Sequence, residues 1–448
     1  MGGIALRIVI IGGGAAGIGT AGAARQTAPD AEVVVFTEYE DVGYSPCGIP
    51  YVHSGEIDEF EDLFLQDKQF YRDQDIDIRY ETVVTKIDLD RREVRLHSGD
   101  AVGFDRLVVA TGFEYKAPDV PGNHLHGLHY PKNIRRSAEF DKVLDEAKVA
   151  VVTDATPLGV EMAGALAKRG LETHLVDPHP WLLSQVADPD IMEPAEASLE
   201  ELGVKLHLRT TVEAFVGEER VHAVRTSDGE LPTDVVVLCP PKQANNRLAR
   251  EAGLQAGSTG GLVVDERMAT SSPGVFAAGE VIEVPQDGTG IPVQGLTGSH
   301  AYSQGKVAGT NAAGGNRTYQ PVNVPWGLVV GKWAVGGAGF GEKLATALGI
   351  PHVMGVGEGI SRARYYPGFK KVRVKLLADP RTHAIIGGQL VGGEGIKERA
   401  DFLAMAVKKG ITVEDFAWME NVYAPPIGAL MEPLAICAQG LLADLEKA

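Results

Sequence analysis

A glycine-rich turn between an apolar strand and an alanine-rich helix constrains the fold of this chain more than any other sequence feature. The apolar run Arg7–Ile11 leads into a turn with Gly12, Gly14 and Gly17, and a helix over Ile18–Gln26 follows. A second apolar strand comes directly after that helix. In this order of strand, turn, helix and strand, the spacing Gly-x-Gly-x-x-Gly predicts a dinucleotide site. The sequence therefore predicts a parallel α/β fold that begins with a nucleotide-binding unit.

Each glycine of this turn has a physical role. Gly12 permits the tight turn, Gly14 lets a pyrophosphate approach the backbone, and Gly17 lets the helix pack closely on the strand. The helix directs unpaired N–H groups and the positive end of its dipole at the phosphates. An acid that binds ribose is expected at the end of the second strand, where Thr37 stands and Glu38 follows. Glu38 is the predicted ribose partner.

The same architecture recurs in the second quarter of the chain. Val149–Val152 predicts a strand, Gly159–Arg169 a helix, and Thr173–Val176 a strand that ends in Asp177. Further downstream, Val275–Glu280 is expected to return the chain to the first fold. Two nucleotide-binding folds, one inserted in the other, are therefore expected.

The last part of the chain has a different pattern. From about Val322, short strands precede two helical runs, Lys397–Lys409 and Pro433–Leu445, which indicates an α+β module. The predicted fold class is α/β, with two Rossmann-like dinucleotide-binding domains and a C-terminal α+β domain. The expected limits are 1–115 and 255–321 for the first domain, 116–254 for the second, and 322–448 for the third.

Composition excludes several classes of function. A hydrophobic content of 44% and a charged content of 23% are typical of an ordered globular chain. The net charge of −18 disfavours nucleic acid and anionic membranes as partners. Three cysteines are too few for a disulfide framework and are not spaced as metal ligands. With no apolar stretch long enough to span a membrane, a reducing, cytoplasmic location is predicted, with no metal site.

The motifs together resemble those of the FAD-dependent pyridine nucleotide–disulfide oxidoreductases. Within them, the chain is similar to the single-cysteine branch of coenzyme A-disulfide reductases, persulfide reductases, NADH oxidases and NADH peroxidases. The resemblance runs nearly end to end and is carried by the first glycine turn, Ser45-Pro46-Cys47-Gly48-Ile49-Pro50-Tyr51, Ala110-Thr111-Gly112, Ala277-Ala278-Gly279-Glu280 and Tyr423-Ala424-Pro425-Pro426. It implies an FAD-dependent homodimer whose C-terminal module is a dimerisation domain. The implied cofactor-binding residues are Gly12, Gly14, Ala15, Ala16, Gly17, Thr37, Glu38, Ser45, Pro46, Val84, Ala110, Thr111, Gly112, Gly279 and Glu280.

Cys47 is the predicted redox centre. Gly48 and Pro50 beside it indicate a sharp turn into a helix, and a thiol at a helix N-terminus is favoured as the reactive thiolate. No second cysteine lies nearby, so a dithiol mechanism is excluded. The mechanism of the family that the chain resembles attacks a small disulfide, holds a mixed disulfide with coenzyme A and is reduced again through FAD. Ala15 and Ala16 stand where oxidases and peroxidases often carry a histidine, which favours disulfide or persulfide chemistry.

The resemblance also implies residues for the substrate and for a second subunit. Tyr423 would approach the cysteine of the other subunit as an acid or hydrogen-bond donor, together with Tyr365 or Tyr366. No histidine acid of the glutathione reductase type is present, so tyrosine must serve. Arg25 matches one of two basic positions that contact coenzyme A phosphates, and Ser45 is a further expected substrate contact. The expected substrate is a small disulfide or persulfide derived from coenzyme A.

The second nucleotide fold departs from the family pattern. Its turn reads Asp154-Ala155-Thr156-Pro157-Leu158-Gly159, so only the third glycine remains. Thr156 adds a side chain where the backbone should meet a pyrophosphate. Asp154 brings a carboxylate near two phosphates, at a cost on the order of a few kcal/mol. Pro240-Pro241 replaces another nicotinamide-side glycine, whereas Asp177 keeps the ribose-acid position. If a nicotinamide binds, NADH is therefore expected rather than NADPH.

Two functions remain open from the sequence alone. The first is an NADH-dependent reductase of coenzyme A-type disulfides or persulfides with an atypical nucleotide pocket. The second is a flavoprotein electron-transfer subunit that has lost ordinary NAD(P)H binding and receives electrons from a redox protein partner. A flavoprotein with structural or sensing duties is a third alternative, but the intact Cys47 and Tyr423 favour redox chemistry at the flavin.

Overall fold

The computed structural model describes residues 6–294 and 297–447. Within these ranges the helices are α1 (Ala15–Thr27), α2 (Ile49–His53), α3 (Lys68–Asp73), α4 (Ile134–Leu144), α5 (Pro157–Arg169), α6 (Pro189–Glu201), α7 (Arg247–Glu251), α8 (Gly298–Ala312), α9 (Glu342–Ala347), α10 (Ile396–Lys409), α11 (Val413–Ala417) and α12 (Pro433–Leu445). None of the helices in the described part of the chain has the length and apolar character needed to cross a membrane.

The strands of the same ranges are β1 (Arg7–Ile11), β2 (Glu32–Phe36), β3 (Asp77–Arg79), β4 (Val84–Asp88), β5 (Glu93–Leu96), β6 (Ala101–Gly103), β7 (Arg106–Val109), β8 (Phe113–Tyr115), β9 (Leu128–His129), β10 (Val149–Thr153), β11 (Glu172–Asp177), β12 (Val204–Leu208), β13 (Val212–Gly217), β14 (Val221–Thr226), β15 (Gly229–Pro232), β16 (Val235–Leu238), β17 (Lys242–Ala244), β18 (Leu262–Val263), β19 (Val275–Ala277), β20 (Ile282–Pro285), β21 (Pro292–Val293), β22 (Trp326–Val330), β23 (Trp333–Gly339), β24 (Val353–Ile360), β25 (Lys371–Ala378) and β26 (Ile385–Gly392).

The chain divides into two compact units. The first unit comprises the described residues of Met1–Pro46, Glu59–Lys116 and Pro241–Val322. The second comprises those of Cys47–Asp58, Ala117–Pro240 and Asn323–Ala448. The second nucleotide fold is therefore inserted between two parts of the first, as the sequence predicts.

A parallel five-stranded sheet in the order β19-β7-β1-β2-β3 forms the centre of the first unit. Helices α1 and α8 pack at unusually short range because α8 presents glycines to α1. A Cβ added to Gly305 would lie 2.2 Å from the carbonyl oxygen of Ala16, and one added to Gly309 would lie 2.1 Å from that of Thr20. These contacts account for part of the high glycine content, 55 residues in the chain.

The second unit contains a parallel sheet and an antiparallel sheet. The parallel sheet has the order β12-β11-β10-β16-β9 and a buried core of aliphatic residues. The antiparallel sheet has the order β22-β23-β26-β25-β24, and apolar residues of α10, α11 and α12 form one core with it. The predicted combination of two Rossmann-like folds with a C-terminal α+β module is confirmed.

The structure differs from the expected element and domain limits at a few positions. Helix α1 begins at Ala15, inside the glycine turn, rather than at Ile18. Strand β19 ends at Ala277 because Gly279, with φ of +87°, turns the chain. Residues 47–58 lie in the second unit, and residues 241–254 lie in the first. The second difference arises because β17 pairs with β8 as an antiparallel ribbon.

Candidate functional site

The first glycine turn forms an open cradle at the N-terminus of α1. Gly12 has φ of +111°, and a Cβ added there would lie 2.2 Å from the carbonyl oxygen of Ala110. A Cβ on Gly17 would lie 1.9 Å from the carbonyl oxygen of Gly12. Gly14 caps the helix with no side-chain hydrogen bond, and an added Cβ there meets nothing within 4 Å. The N–H groups of the first helical turn therefore face open space, which is the geometry of an anion-binding helix terminus.

The two candidate ribose positions differ in environment. Thr37 is buried, and its Cβ would be 3.1 Å from a Cβ added to Gly13, so its side chain lies against the glycine turn. Its hydroxyl accepts the backbone N–H of Tyr39 at 3.2 Å. Glu38 is exposed. The structure thus places Thr37 at the turn and leaves the Glu38 carboxylate at the surface beside it.

A second group of predicted cofactor residues is held by partners that the sequence did not indicate. The backbone N–H of Gly279 donates to Oε1 of the buried Gln304 at 3.0 Å. The carboxylate of Glu280 forms an ion pair with Nζ of Lys242 at 2.7 Å. Lys242 falls within the range expected for the second domain, 116–254, but the pairing of β17 with β8 places it in the first unit.

The remaining predicted cofactor residues also lie in the first unit. Thr111 donates its hydroxyl to the carbonyl oxygen of Asn245 at 2.7 Å, and Gly112 follows it with φ of +68°. Ser45 donates its backbone N–H to Leu63, and Val84 begins β4. The positions placed in this unit with them are Ala15, Ala16, Pro46 and Ala110.

Cys47 lies in a 3₁₀ turn over Pro46–Gly48 that leads directly into α2. The predicted turn into a helix is therefore present, although α2 is only five residues long. Cys47 is exposed, whereas Cys239 and Cys437 are buried. Burial raises the pKa of the Cys239 thiol, and it raises that of the Cys437 thiol to about 12. Of the three cysteines, Cys47 alone is accessible to a substrate.

A tyrosine–glutamate pair that the sequence analysis did not single out lies one helical turn beyond Cys47. The hydroxyl of Tyr51 donates to Oε1 of Glu161 at 3.0 Å. Burial is the main reason that the pKa values of both groups are raised. The negative charges of Glu161 and Cys47 also raise the pKa of Tyr51. The pair lines a small cleft of about 80 Å³ together with an ion pair of 2.6 Å between Lys168 and Glu56. Both groups therefore hold their protons more tightly than they would in water.

Two of the three candidate tyrosines meet in the C-terminal module. The hydroxyl oxygens of Tyr365 and Tyr423 lie 2.5 Å apart, and both side chains are exposed. The hydrogen bond to Tyr423 raises the pKa of Tyr365. Tyr366 instead lies near the guanidinium of Arg362, which is 5.9 Å from the centre of its ring. The geometry therefore separates the two neighbouring tyrosines, which the sequence could not do.

The guanidinium of Arg25 is bonded to groups of its own unit. It donates to the carbonyl oxygens of Pro29 and Ala31 at 2.5 and 2.8 Å. It also pairs with the carboxylate of Asp75 at 3.1 Å, and only 14% of its side chain is exposed. Arg25 thus ties the end of α1 to the loop that follows it, and its contact with a coenzyme A phosphate stays a prediction.

The turn before α5 is closed by side chains of its own unit. The hydroxyl of Thr156 accepts the N–H of Gly159 at 3.3 Å and donates to the carbonyl oxygen of Cys239 at 3.0 Å. The carboxylate of Asp177 accepts the N–H of Ala155 at 2.6 Å. This turn therefore does not fit the ordinary clamp on a dinucleotide pyrophosphate, in which such N–H groups stay open for phosphate oxygens.

Comparisons with known proteins cover the chain almost end to end. The pyridine nucleotide-disulphide oxidoreductase family matches residues 6–305, and the dimerisation domain of that family matches residues 326–433. An NADH oxidase of Methanocaldococcus jannaschii is 36% identical over 99% of this chain and 100% of its own length. An NAD(P)H coenzyme A polysulfide/persulfide reductase of Pyrococcus horikoshii is 30% identical over 97% of this chain and 98% of its own.

A solved structure shows the same relationship in three dimensions. The NAD-dependent persulfide reductase from A. fulgidus superposes with a TM-score of 0.95 and is 30% identical in sequence. The match covers 99% of this chain and 84% of that protein. Sequence and fold thus point to the same group of proteins.

Proposed function

This chain belongs to the pyridine nucleotide-disulphide oxidoreductase family, and we propose that it reduces coenzyme A-type disulfides or persulfides through Cys47. It is an FAD-dependent oxidoreductase, and its family implies both FAD and NAD(P)H. The single observation that carries the proposal is the exposure of Cys47 at the start of α2, while the other two cysteines are buried. A relative named as a coenzyme A polysulfide/persulfide reductase and a solved structure named as a persulfide reductase support the choice of substrate.

The residues of the first unit fit an FAD. Gly12, Gly14 and Gly17 build the open cradle at α1, and the positions around Thr111 and Gly279 complete the predicted set. FAD bound there supplies a two-electron carrier for the thiol chemistry. The carboxylate of Glu280 keeps the acceptor expected on the ribitol side, and Lys242 holds it in place.

Disulfide exchange at Cys47 follows from ordinary thiol chemistry. The thiolate attacks one sulfur of the substrate disulfide, so a bond forms between Cys47 and that sulfur while the substrate S–S bond breaks. The departing thiolate takes up one proton. Two further electrons and a second proton then cleave the mixed disulfide, release the second thiol and restore Cys47.

Candidate proton donors for these steps are tyrosines of the described chain. The dimerisation domain suggests a homodimer, and we propose that Tyr423 and Tyr365 of one protomer serve the cysteine of the other. Their mutual hydrogen bond of 2.5 Å allows one hydroxyl to donate while the other stabilises the resulting oxygen. Tyr51, hydrogen-bonded to Glu161, is a second candidate donor within the same protomer as its Cys47.

Among pyridine nucleotides, NADH is the proposed donor rather than NADPH. Asp177 ends β11 at the ribose-acid position, where its negative charge opposes a 2′-phosphate.

A specific observation also supports a second candidate function, a flavoprotein that receives electrons from a redox protein. Thr156 and Asp177 occupy N–H groups that a dinucleotide would otherwise use.

The proposed disulfide chemistry is tested with a Cys47→Ser variant loaded with FAD. The flavin is reduced anaerobically with dithionite and mixed with coenzyme A disulfide in a stopped-flow instrument. We expect rapid reoxidation in the wild type and none on the same timescale in the variant, because serine cannot form the mixed disulfide. Equal reoxidation in both proteins would refute a role for Cys47.

A further inference from the structure

The turn before α5 repeats the turn before α1 in its backbone. The N–H of Gly12 donates to the carbonyl oxygen of Phe36 at 2.8 Å, and the N–H of Asp154 donates to that of Val176 at 2.8 Å. Each turn thus leaves its first strand and bonds to the end of the neighbouring strand in the same way. The two turns can therefore be compared position by position.

The glycine that both turns retain has the same packing role. A Cβ added to Gly17 would lie 1.9 Å from the carbonyl oxygen of Gly12, and one added to Gly159 would lie 2.0 Å from that of Asp154. Asp154 has φ of +66°, a left-handed conformation that aspartate adopts more readily than most side chains. The second turn therefore keeps its shape, although Asp154 and Thr156 replace the first two glycines of the pattern.

Thr156 fills the space that Gly14 leaves open. Gly14 has no side-chain cap, whereas the hydroxyl of Thr156 accepts the N–H of Gly159 and donates to the carbonyl oxygen of Cys239. A threonine in this position is an N-cap, and it occupies the helix end at which a phosphate oxygen would accept the same N–H. A pyrophosphate would have to displace this cap.

Two carboxylates add negative charge to the closed turn. Both oxygens of Asp177 are engaged, Oδ2 with the N–H of Ala155 at 2.6 Å and Oδ1 with the N–H of His179 at 2.7 Å. Burial, with a smaller contribution from the charge of Asp177, raises the pKa of Asp154 to about 6. At pH 7 and above Asp154 is therefore mainly ionised, and it repels phosphate oxygens.

We infer that Thr156 and Asp154 determine donor specificity by closing this turn to a dinucleotide pyrophosphate. The adenylate half of a nucleotide donor accordingly contributes little to its binding. Reduced nicotinamide mononucleotide therefore reduces the flavin about as well as NADH does. The kinetic part of this inference rests on the proposed function, since it needs a nucleotide that reduces the flavin. Its binding part does not.

The binding part is tested by calorimetric titration of the FAD-loaded protein with ADP-ribose, which contains the pyrophosphate but no nicotinamide. We expect a dissociation constant of about 1 mM or weaker for the wild type and at least about tenfold tighter binding for Asp154→Gly/Thr156→Gly. The matched control Thr156→Ser keeps the hydroxyl cap and should bind as weakly as the wild type. Micromolar binding by the wild type, or no gain in the double variant, would overturn the inference.

A thermal-unfolding scan shows whether the double variant is folded, and the single Thr156→Gly variant replaces it if it is not. That variant removes the cap while Asp154 stays in place. It should still bind ADP-ribose more tightly than Thr156→Ser, and equal binding by the two would count against the inference.

The kinetic part compares anaerobic flavin reduction by NADH and by reduced nicotinamide mononucleotide. For the wild type we expect the second-order rate constants of flavin reduction by the two nucleotides to agree within about threefold. For the double variant we expect their ratio to shift about tenfold in favour of NADH. A wild-type preference for NADH of a hundredfold or more would contradict the inference. If neither nucleotide reduces the flavin, the proposed nicotinamide donor fails, while the ADP-ribose titration still decides whether the turn is closed.

Discussion

The hydroxyl oxygens of Tyr365 and Tyr423 lie 2.5 Å apart, although 58 positions separate the two residues in the chain. Both side chains are exposed, and the bond to Tyr423 raises the pKa of Tyr365. Two coupled tyrosines on an accessible surface are suited to delivering one proton to a departing thiolate. Tyr366, directly next to Tyr365, is not part of this pair and serves as a matched control.

Removal of the Tyr423 hydroxyl should slow disulfide reduction. We expect Tyr423→Phe to lower kcat for coenzyme A disulfide on the order of 10²-fold, because a positioned acid contributes about that much. Tyr365→Phe should show a smaller decrease, since Tyr423 keeps its own proton. Steady-state assays with a fixed donor measure both effects. A decrease for Tyr366→Phe as large as that for Tyr423→Phe would contradict the assignment.

A methyl group at Gly14 should weaken FAD binding without disturbing the fold. Nothing lies within 4 Å of the added Cβ, so the only group that it obstructs is a ligand at the N-terminus of α1. Gly22→Ala is the control, since Gly22 lies in the same helix with equally open space. We expect Gly14→Ala to lose FAD during gel filtration, while Gly22→Ala retains it. Equal retention by the two variants would place the cofactor elsewhere.

Replacement of Asp154 by asparagine should change the pH dependence of stability. The pKa of Asp154 is raised from 3.8 to about 6, so the folded state takes up a proton between these values and loses stability as the pH rises through them. Asparagine keeps the size and the left-handed backbone but carries no charge. We expect Asp154→Asn to raise Tm at pH 8, because the substitution increases the free energy of unfolding by at most about 3 kcal/mol at that pH.

That advantage should shrink as the pH falls from 6 toward 4, because the wild-type carboxyl then becomes neutral as well. Calorimetric scans at pH 8, 6 and 4.5 follow the difference between the two proteins. A gain in Tm that is constant across this range would show that the charge of Asp154 is not its cause.

An exposed apolar segment of the dimerisation domain should lie in the dimer interface. Trp418, Val422, Ile427 and Leu430 are all exposed in the single chain. Water-exposed clusters of this kind mark contact surfaces. We expect Ile427→Glu to yield monomers in sedimentation experiments, whereas Leu65→Glu, at a similarly exposed leucine of the first unit, should leave the dimer intact. Dimers in both variants would move the interface to another surface.

Much of the fold could be predicted from the sequence because glycine and strand patterns are local signals. The turn at Gly12 and the helix over Pro433–Leu445 are both present in the structure. Domain limits that depend on the pairing of strands far apart in the sequence could not be predicted from such local signals. Lys242 joins the first unit because its strand pairs with β8, and neighbouring residues carry no sign of that pairing.

The candidate site shows the same division between local and distant signals. Cys47 and its turn are recognisable from adjacent residues, and its exposure agrees with a reactive thiol. The Tyr51–Glu161 pair and the Thr156 cap depend on side chains that meet only after folding. Sequence spacing identified the loss of glycine at position 156, and the structure shows which hydrogen bonds replace it.

The central claim, disulfide exchange at Cys47, is tested most directly by isolation of the mixed disulfide. The thiol-reduced protein is mixed with one equivalent of coenzyme A disulfide, quenched in acid, digested and examined by mass spectrometry. Exchange at this residue predicts one coenzyme A on the peptide that contains Cys47, one released thiol per chain, and no adduct in Cys47→Ser. Disulfide turnover without any adduct, or with an adduct on Cys239 or Cys437 instead, would contradict it.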